Sequence, residues 1–243
     1  MLPDKSGSVV TSVSLILPTY NEKENILQLI PQLESAFQDV PLEIIVVDDQ
    51  SPDGTAAAAE ALNEQYKNVR AIRRNVRRGL GAAVRNGYDE ARHDILISCD
   101  ADGSFLASDL VKLAKTLKEG HDLVLGSRHI EGAKYETPRW PIQLKYHISY
   151  LGNLVLRKIT GLPIHDFSSN CRAIRRDVWN AIQTQEQTNA LLLETILKVS
   201  RKGGRITEVP VTFADRRAGQ SKLNLWIEIP KFLIPMWRHL LAR

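Results

Sequence analysis

The feature that most constrains this chain is a set of short apolar runs, each followed by a stretch with helical spacing. Val13 to Leu17, Glu43 to Val47, Val69 to Ile72, Ile95 to Cys99 and Leu123 to Gly126 read as strands. Between them, Asn25 to Phe37 places Ile26, Leu29, Ile30, Leu33 and Phe37 at helical intervals, with Pro31 expected to kink the helix or mark a restart. Ala56 to Tyr66, Ala82 to Ala91 and Leu110 to Leu117 read as further helices. Strands separated by helices imply a mostly parallel sheet in a doubly wound α/β fold.

After Arg128 the pattern loosens. Glu131 to Pro141 reads as a loop, Ile142 to Ile159 as a helix and Gly161 to Asn170 as a polar turn. Asp177 to Gln183 and Ala190 to Lys202 follow as helices, and Arg205 to Phe213 as one strand. No Pro/Gly/Ser-rich boundary divides the two halves, so both are assigned to one domain.

The ends of two strands carry acids. Asp48-Asp49 follows Glu43 to Val47, and Asp100-Ala101-Asp102 follows Ile95 to Cys99. Ligands of open α/β sheets bind outside the carboxyl ends of the strands. Two aspartates one residue apart can hold a hard cation that keeps sites open for phosphate oxygens. Taken alone, the pair reads equally well as a loop start or helix cap. The spacing Asp100, Asp102, Ser104 also opens like an EF-hand loop, but Phe105 and Val111 stand where that loop needs Gly and Glu. Two acidic strand ends in one chain point to a nucleotide–metal site.

Composition narrows the alternatives. The 243 residues are 43% hydrophobic and 25% charged, ordinary for a globular protein, and the net charge of +4 favours an anionic partner. The only cysteines, Cys99 and Cys171, give neither a disulfide framework nor a zinc spacing. Met1 to Ser12 does not read as a secretory signal, and no run of about 18 apolar residues encodes an ordinary membrane-spanning helix. A cytoplasmic protein follows, peripheral to a membrane at most. A phosphorylation receiver domain also clusters acids at strand ends, but this chain is about twice as long as one.

Five segments then carry a family resemblance: Val13 to Glu22, Val46 to Thr55, Asp100 to Ser104, Gly126-Ser127-Arg128, and Arg216-Arg217-Ala218-Gly219-Gln220-Ser221-Lys222. In this order they resemble an inverting, nucleotide-sugar-dependent glycosyltransferase of the GT-A fold. The last two narrow the resemblance to the dolichol-phosphate mannosyltransferase branch, whose signature is Arg-x-x-Gly-x-Ser-Lys. The chain departs from the pattern at Gly103, Phe105 and Leu106, in Asp166 to Arg172, and at Tyr150, where a basic residue is common.

The resemblance implies a GT-A (Rossmann-like) catalytic domain over residues 1–222, with a C-terminal amphipathic segment over 223–243. It implies a nucleotide pocket from Pro18, Tyr20, Glu22, Val47, Asp49 and Ala101. Asp100, Asp102 and Ser104 would hold Mg²⁺ or Mn²⁺. Arg128, Lys145, Arg216 and Lys222 would clamp the acceptor phosphate, and Asp102, Asp166, Arg128 and Arg216 would form the catalytic set. The expected reaction moves a hexose, mannose from GDP-mannose, onto a polyprenyl phosphate. A UDP-sugar donor, a non-lipid acceptor or a non-catalytic nucleotide-binding paralogue are the alternatives. Arg77 and Arg78 read as surface or mobile-loop charges, Gly54 as a turn residue, and Glu194 as the partner of a nearby arginine. In the C-terminal segment, Trp226 and Trp237 alternate with aliphatic and basic groups, which suits a membrane interface, a protein contact being the alternative. A homo-oligomer or a membrane-protein partner fits the same segment.

Overall fold

The computed structural model describes residues 12–76, 79–136 and 140–215. In chain order the elements are β1 (Val13–Thr19), α1 (Lys23–Ala36), β2 (Leu42–Asp48), α2 (Thr55–Tyr66), β3 (Val69–Arg73), α3 (Leu80–Glu90), β4 (Ile95–Ser98), α4 (Ala107–Lys118), β5 (Leu123–Ser127), β6 (Lys134–Glu136), α5 (Trp140–Thr160), β7 (Arg172–Arg175), α6 (Arg176–Ile182), α7 (Ala190–Arg201), β8 (Ile206–Pro210) and β9 (Thr212–Ala214).

Seven strands form one sheet in the order β3-β2-β1-β4-β7-β5-β8. All neighbours are parallel except β7, which runs antiparallel to both β4 and β5. Alternate side chains divide between two cores. Leu15, Leu17, Ile44 and Val46 pack with α1 and α4, while Ile16, Ile45 and Val47 pack with α3 on the other face. Both faces of β1 and β2 are therefore dry, which is why these strands show continuous apolar runs rather than alternation.

The chain moves outward from β1 through β2 to β3, then returns to place β4 on the other side of β1. The order reverses between β1 and β4, and the crevice at their carboxyl ends is where such folds bind ligands. Because β5 runs in the same direction as β4, Arg128, which follows β5, stands on that edge too.

Several details differ from the sequence reading. Helix α1 runs through Pro31 without a restart. The carbonyl that proline leaves without a helical donor belongs to exposed Leu27, where water can satisfy it. The expected loop after Glu131 contains β6, and β7 lies beyond the polar turn, where no strand was expected. The single strand expected over Arg205 to Phe213 divides at Pro210, after which β9 pairs with β6 as a separate parallel ribbon. The C-terminal segment 223–243 and the Arg77-Arg78 pair lie outside the described residues.

Candidate active site

Two loops at the sheet edge are stitched together by hydrogen bonds. Asn21 adopts a left-handed φ of 56°, and its amide donates to Ser51 Oγ at 2.9 Å. The Glu22 amide donates to Thr55 Oγ1 (3.0 Å) and the Lys23 amide to Asp53 Oδ2 (3.0 Å). The first turn of α1 is thus capped from the loop before α2, rather than by its own preceding residue. Gly54 has φ of +83°, which fits the structural role expected of it. Tyr20 and Glu22 are half-buried on this platform, and Asn25 Nδ2 donates to Glu22 Oε2 at 2.5 Å.

The acids after β2 have separate duties. Asp48 closes the turn, accepting from Thr19 Oγ1 (3.2 Å), the Ser51 amide (3.0 Å) and Ser51 Oγ. Asp49 faces the next segment: its Oδ1 lies 2.8 Å from Arg74 Nη1, and its Oδ2 accepts from the Gly79 amide at 3.0 Å. A nucleotide bound here would share Asp49 with these groups. The side chain of Val47 is buried in the core, so a ligand could meet it only through the main chain. Pro18 is half-buried at the end of β1, and Ala101 is buried between the two aspartates of the second acidic end.

At that second end, Asp100 Oδ1 accepts from Asn170 Nδ2 (3.1 Å), and Asp102 Oδ1 from the Ser104 amide (3.0 Å). Ser104 Oγ is buried with no hydrogen-bond partner. Two carboxylates and an orphaned hydroxyl offer hard oxygen donors, the set a divalent cation such as Mg²⁺ takes. Among the described residues no cluster of three or more His, Cys, Asp or Glu could hold a metal, so a cation at Asp100 and Asp102 would complete its shell with ligand oxygens.

Arg128 and Asp166 form a fork. Arg128 Nε donates to Asp166 Oδ2 (2.8 Å), Nη2 donates to Oδ1 (3.0 Å) and to Ser168 Oγ (2.9 Å), and the Arg128 amide also reaches Oδ2 (3.2 Å). Burial disfavours the Asp166 charge, but the Arg128 guanidinium outweighs it and draws the carboxyl down to about 2. The same pairing overcomes burial at Arg128 and holds its guanidinium above the ordinary range. The fork is itself supported. Glu208 of β8 accepts from the amides of His165 (2.8 Å) and Asp166 (2.9 Å), and Asn153 of α5 accepts from the Phe167 amide (2.9 Å). The His129 ring packs against Tyr146 and Tyr150, with Nε2 3.9 Å from Asp166 Oδ2. Burial pushes the His129 pKa down against the pull of Asp166.

An aromatic chain joins these parts. Phe105, just after the Asp100–Ser104 loop, meets Phe213 of β9 edge to face at 5.3 Å; Phe213 stacks on Tyr135 at 5.1 Å, and Tyr135 meets Tyr146 of α5 at 4.4 Å. The Arg128 guanidinium lies 5.7 Å from the Phe213 ring centre. Phe105, a departure from the family pattern, therefore links the carboxylate loop to the Arg128 side of the site.

The expected residues thus gather on one sheet edge, Asp100 and Asp102 after β4 and Arg128 with Asp166 after β5. Lys145 lies in α5, its side chain outside the described residues, as are Arg216 and Lys222 altogether. Glu194 was expected to meet an arginine; its partners here include the Lys198 ammonium (2.8 Å) and the amides of Gln185 and Glu186. Glu208, Asn170 and Asn153 were not anticipated, because nothing local in the sequence marks a polar residue that serves a distant loop.

A family model described as Glycosyl transferase family 2 matches residues 14–182. A dolichol-phosphate mannosyltransferase from Pyrococcus furiosus is 37% identical over 87% of this chain, and the match spans 59% of that longer protein. An undecaprenyl-phosphate mannosyltransferase from Micrococcus luteus is 34% identical, with 87% of each protein covered. A polyprenol monophosphomannose synthase from Mycolicibacterium smegmatis is 33% identical over 86% of this chain and 80% of its own length. Among solved structures, glucosyl-3-phosphoglycerate synthase from Mycobacterium tuberculosis, in complex with Mn²⁺, UDP and phosphoglyceric acid, superposes with a TM-score of 0.73 at 17% identity, covering 96% of this chain and 80% of that one. A mannosyltransferase from Pyrobaculum calidifontis, in complex with GDP-Man and Mn²⁺, gives 0.63 at 21% identity, covering 93% and 64%. These two establish the fold, and the sequence relatives bear out the resemblance read from the motifs. The family match takes in both acidic strand ends and the Arg128–Asp166 fork, and this chain belongs to glycosyl transferase family 2.

Proposed function

We propose that this protein transfers mannose from GDP-mannose to a polyprenyl phosphate with inversion, at the edge of a membrane. The observation that carries the acceptor class is the Arg128–Asp166 fork. A carboxyl drawn down to about 2 and bound on both oxygens by one guanidinium is a poor proton acceptor near neutral pH. A hydroxyl acceptor needs a base, whereas a lipid phosphate is already an oxyanion, its second pKa being about 6. The sequence relatives, which act on dolichyl, undecaprenyl or polyprenyl phosphates by name, support the same class.

In this reading Tyr20, Glu22 and Asp49 hold the nucleoside, with Pro18, Val47 and Ala101 shaping its seat. Asp100, Asp102 and Ser104 would hold Mg²⁺ or Mn²⁺. When bound, such a cation neutralises charge developing on the diphosphate leaving group. Arg128, with Lys145, Arg216 and Lys222, attracts and aligns the acceptor phosphate against the anomeric carbon. Asp166 fixes the direction of Arg128 and takes no proton.

Membrane contact has support from α5. Ile148, Leu151, Val155 and Ile159 recur on one exposed face of this helix, and Arg157 and Lys158 stand in its last turn. A shallow cleft of about 480 Å³ at its end is lined by Leu154, Arg157, Lys158, Gly161, Leu162 and Pro163. Apolar groups beside cations suit the interface of an anionic bilayer. No helix among the described residues is long and apolar enough to cross a membrane.

The test is a panel of GDP- and UDP-sugars with Mn²⁺ or Mg²⁺, read by thermal stabilisation and by transfer to a phosphorylated prenol. Metal-dependent stabilisation by GDP-mannose and formation of the mannosyl lipid are expected. Asp102→Asn should abolish transfer and weaken donor binding. Full activity in excess chelator would remove the metal from the reading.

A further inference from the structure

We propose that Asn170, locked by Ser98 and Tyr88, is a positioning residue that fixes the Asp100 carboxylate for a divalent cation. The inference rests on Asp100 and Asp102 being the cation site.

Topology creates the contact. The antiparallel ladder between β4 and β7 ends at the pair Ser98↔Arg172. Beyond it the strands continue as Cys99-Asp100 and Cys171-Asn170, so Asn170 comes to face Asp100. With β7 inserted between β4 and β5, the end of a polar turn is delivered to the acidic crevice.

The hydrogen bonds admit one arrangement. Ser98 Oγ lies 2.9 Å from the Asn170 main-chain carbonyl, which can only accept, and 3.0 Å from Asn170 Oδ1. The Ser98 proton is therefore directed at Asn170, and Ser98 Oγ accepts from the Tyr88 hydroxyl at 2.8 Å. Burial pushes the Tyr88 phenol up to about 12, so it remains a donor at neutral pH. The Asp100 carboxylate can only accept, so the amide end 3.1 Å from its Oδ1 is the Asn170 NH₂, which turns Asn170 Oδ1 towards Ser98. A flipped amide would set two oxygens against each other. Tyr88, Ser98 and Asn170 are all buried, and Tyr88 is braced edge to face on Trp179 at 4.9 Å.

The chemistry needs such a brace. Asp100 and Asp102 carry like charges one residue apart and repel each other until a cation arrives. An amide donor steadies one carboxylate in its rotamer without adding a charge that would compete with the cation. Outer partners of metal ligands characteristically set affinity in this way.

The experiment titrates Mn²⁺ into the full chain in the presence of GDP, or of UDP if the wild-type protein selects it. Free Mn²⁺ is followed by electron paramagnetic resonance, and folding by the ligand-free melting temperature. Asn170→Ala should weaken Mn²⁺ binding by about tenfold or more, with Ser98→Ala and Tyr88→Phe weakening it less. A purely structural role would lower the melting temperature and leave Mn²⁺ affinity alone. If Asp100→Asn loses Mn²⁺ while folded Asn170→Ala stays within about twofold of wild type, the positioning role is wrong and the cation site stands. If Asp100→Asn also binds Mn²⁺ normally, both fail. Should Asn170→Ala not fold, unchanged Mn²⁺ binding in Ser98→Ala and Tyr88→Phe overturns the proposal.

Discussion

Asp166 shows how one ion pair can set the charge of a buried side chain. Its ordinary pKa of 3.8 falls to about 2 because the gain from Arg128 exceeds the cost of burial. The ionised pair therefore contributes its full stability above pH of about 4, and that contribution is lost as pH falls through the folded value near 2. Asp166→Asn leaves the Arg128 charge without its counter-ion, a change that typically costs about 3 kcal/mol or more when the pair is buried. The variant should unfold at lower denaturant concentration, and the difference from wild type should shrink as pH is taken from 7 towards 2. Transfer to a phosphorylated prenol should be reduced but measurable, with the loss falling mainly in the KM for the lipid, since what is lost is the aim of Arg128. An unchanged stability difference across that pH range would argue that the fork is not the reason for the low pKa.

At the scale of elements, α5 has two jobs. Its inner side carries Asn153 and Ser149, which reach the Phe167-Ser168 backbone and hydroxyl, while its outer side is apolar. Leu151→Glu with Val155→Glu alters only the exposed side. Such a variant should retain its fold and its nucleotide binding, yet co-sediment less with anionic liposomes. Equal sedimentation would assign that face to a protein contact. A second expectation concerns α3, whose first turn touches the loop before α7. A Cβ on Gly81 would lie 1.8 Å from the Thr188 carbonyl oxygen, an atom of the main chain that cannot rotate away. Gly81→Ala should destabilise the protein by about 1–3 kcal/mol, readable as a lowered melting temperature.

Strands β1, β2 and β4 were legible because burial on both faces leaves them almost wholly apolar. Strand β7 was not, since Arg172-Ala173-Ile174-Arg175 is short and begins and ends with a charge. Arg172 is buried all the same, with its guanidinium spent on the carbonyls of Ser169 (3.0 Å) and Leu192 (2.8 Å), and no local pattern records such distant acceptors. The same reason divides the site. Asp100 and Asp102 follow their strand in sequence and could be found there. Asn170 and Glu208 reach the site only through the register of β7 and β8.

For the molecule as a whole, the sheet brings both acidic strand ends and Arg128 to one edge. In the proposed reading the crevice between β1 and β4 takes the donor, and the Arg128–Asp166 fork beyond β5 takes the acceptor. The described chain ends at Asp215, just beyond β9, whose Phe213 lies beside Arg128, and Arg216 and Lys222 lie outside the described residues. If the acceptor is a phosphate, these cations raise its local concentration, and no residue need take a proton. The rate on a phosphorylated prenol should then climb with pH through the phosphate's second pKa of about 6 and level off, with no further limb from Asp166 in the neutral range. Arg216→Ala should depress the rate at every pH without moving that midpoint, because it removes an attraction and not a titrating group. On the free alcohol the same enzyme has no charged nucleophile to hold, and Asp166, drawn down to about 2, is a poor proton acceptor, so transfer should be negligible. Efficient transfer to the alcohol and none to the phosphate would reverse the assignment of the acceptor, and would require a proton acceptor other than Asp166 on this edge of the sheet.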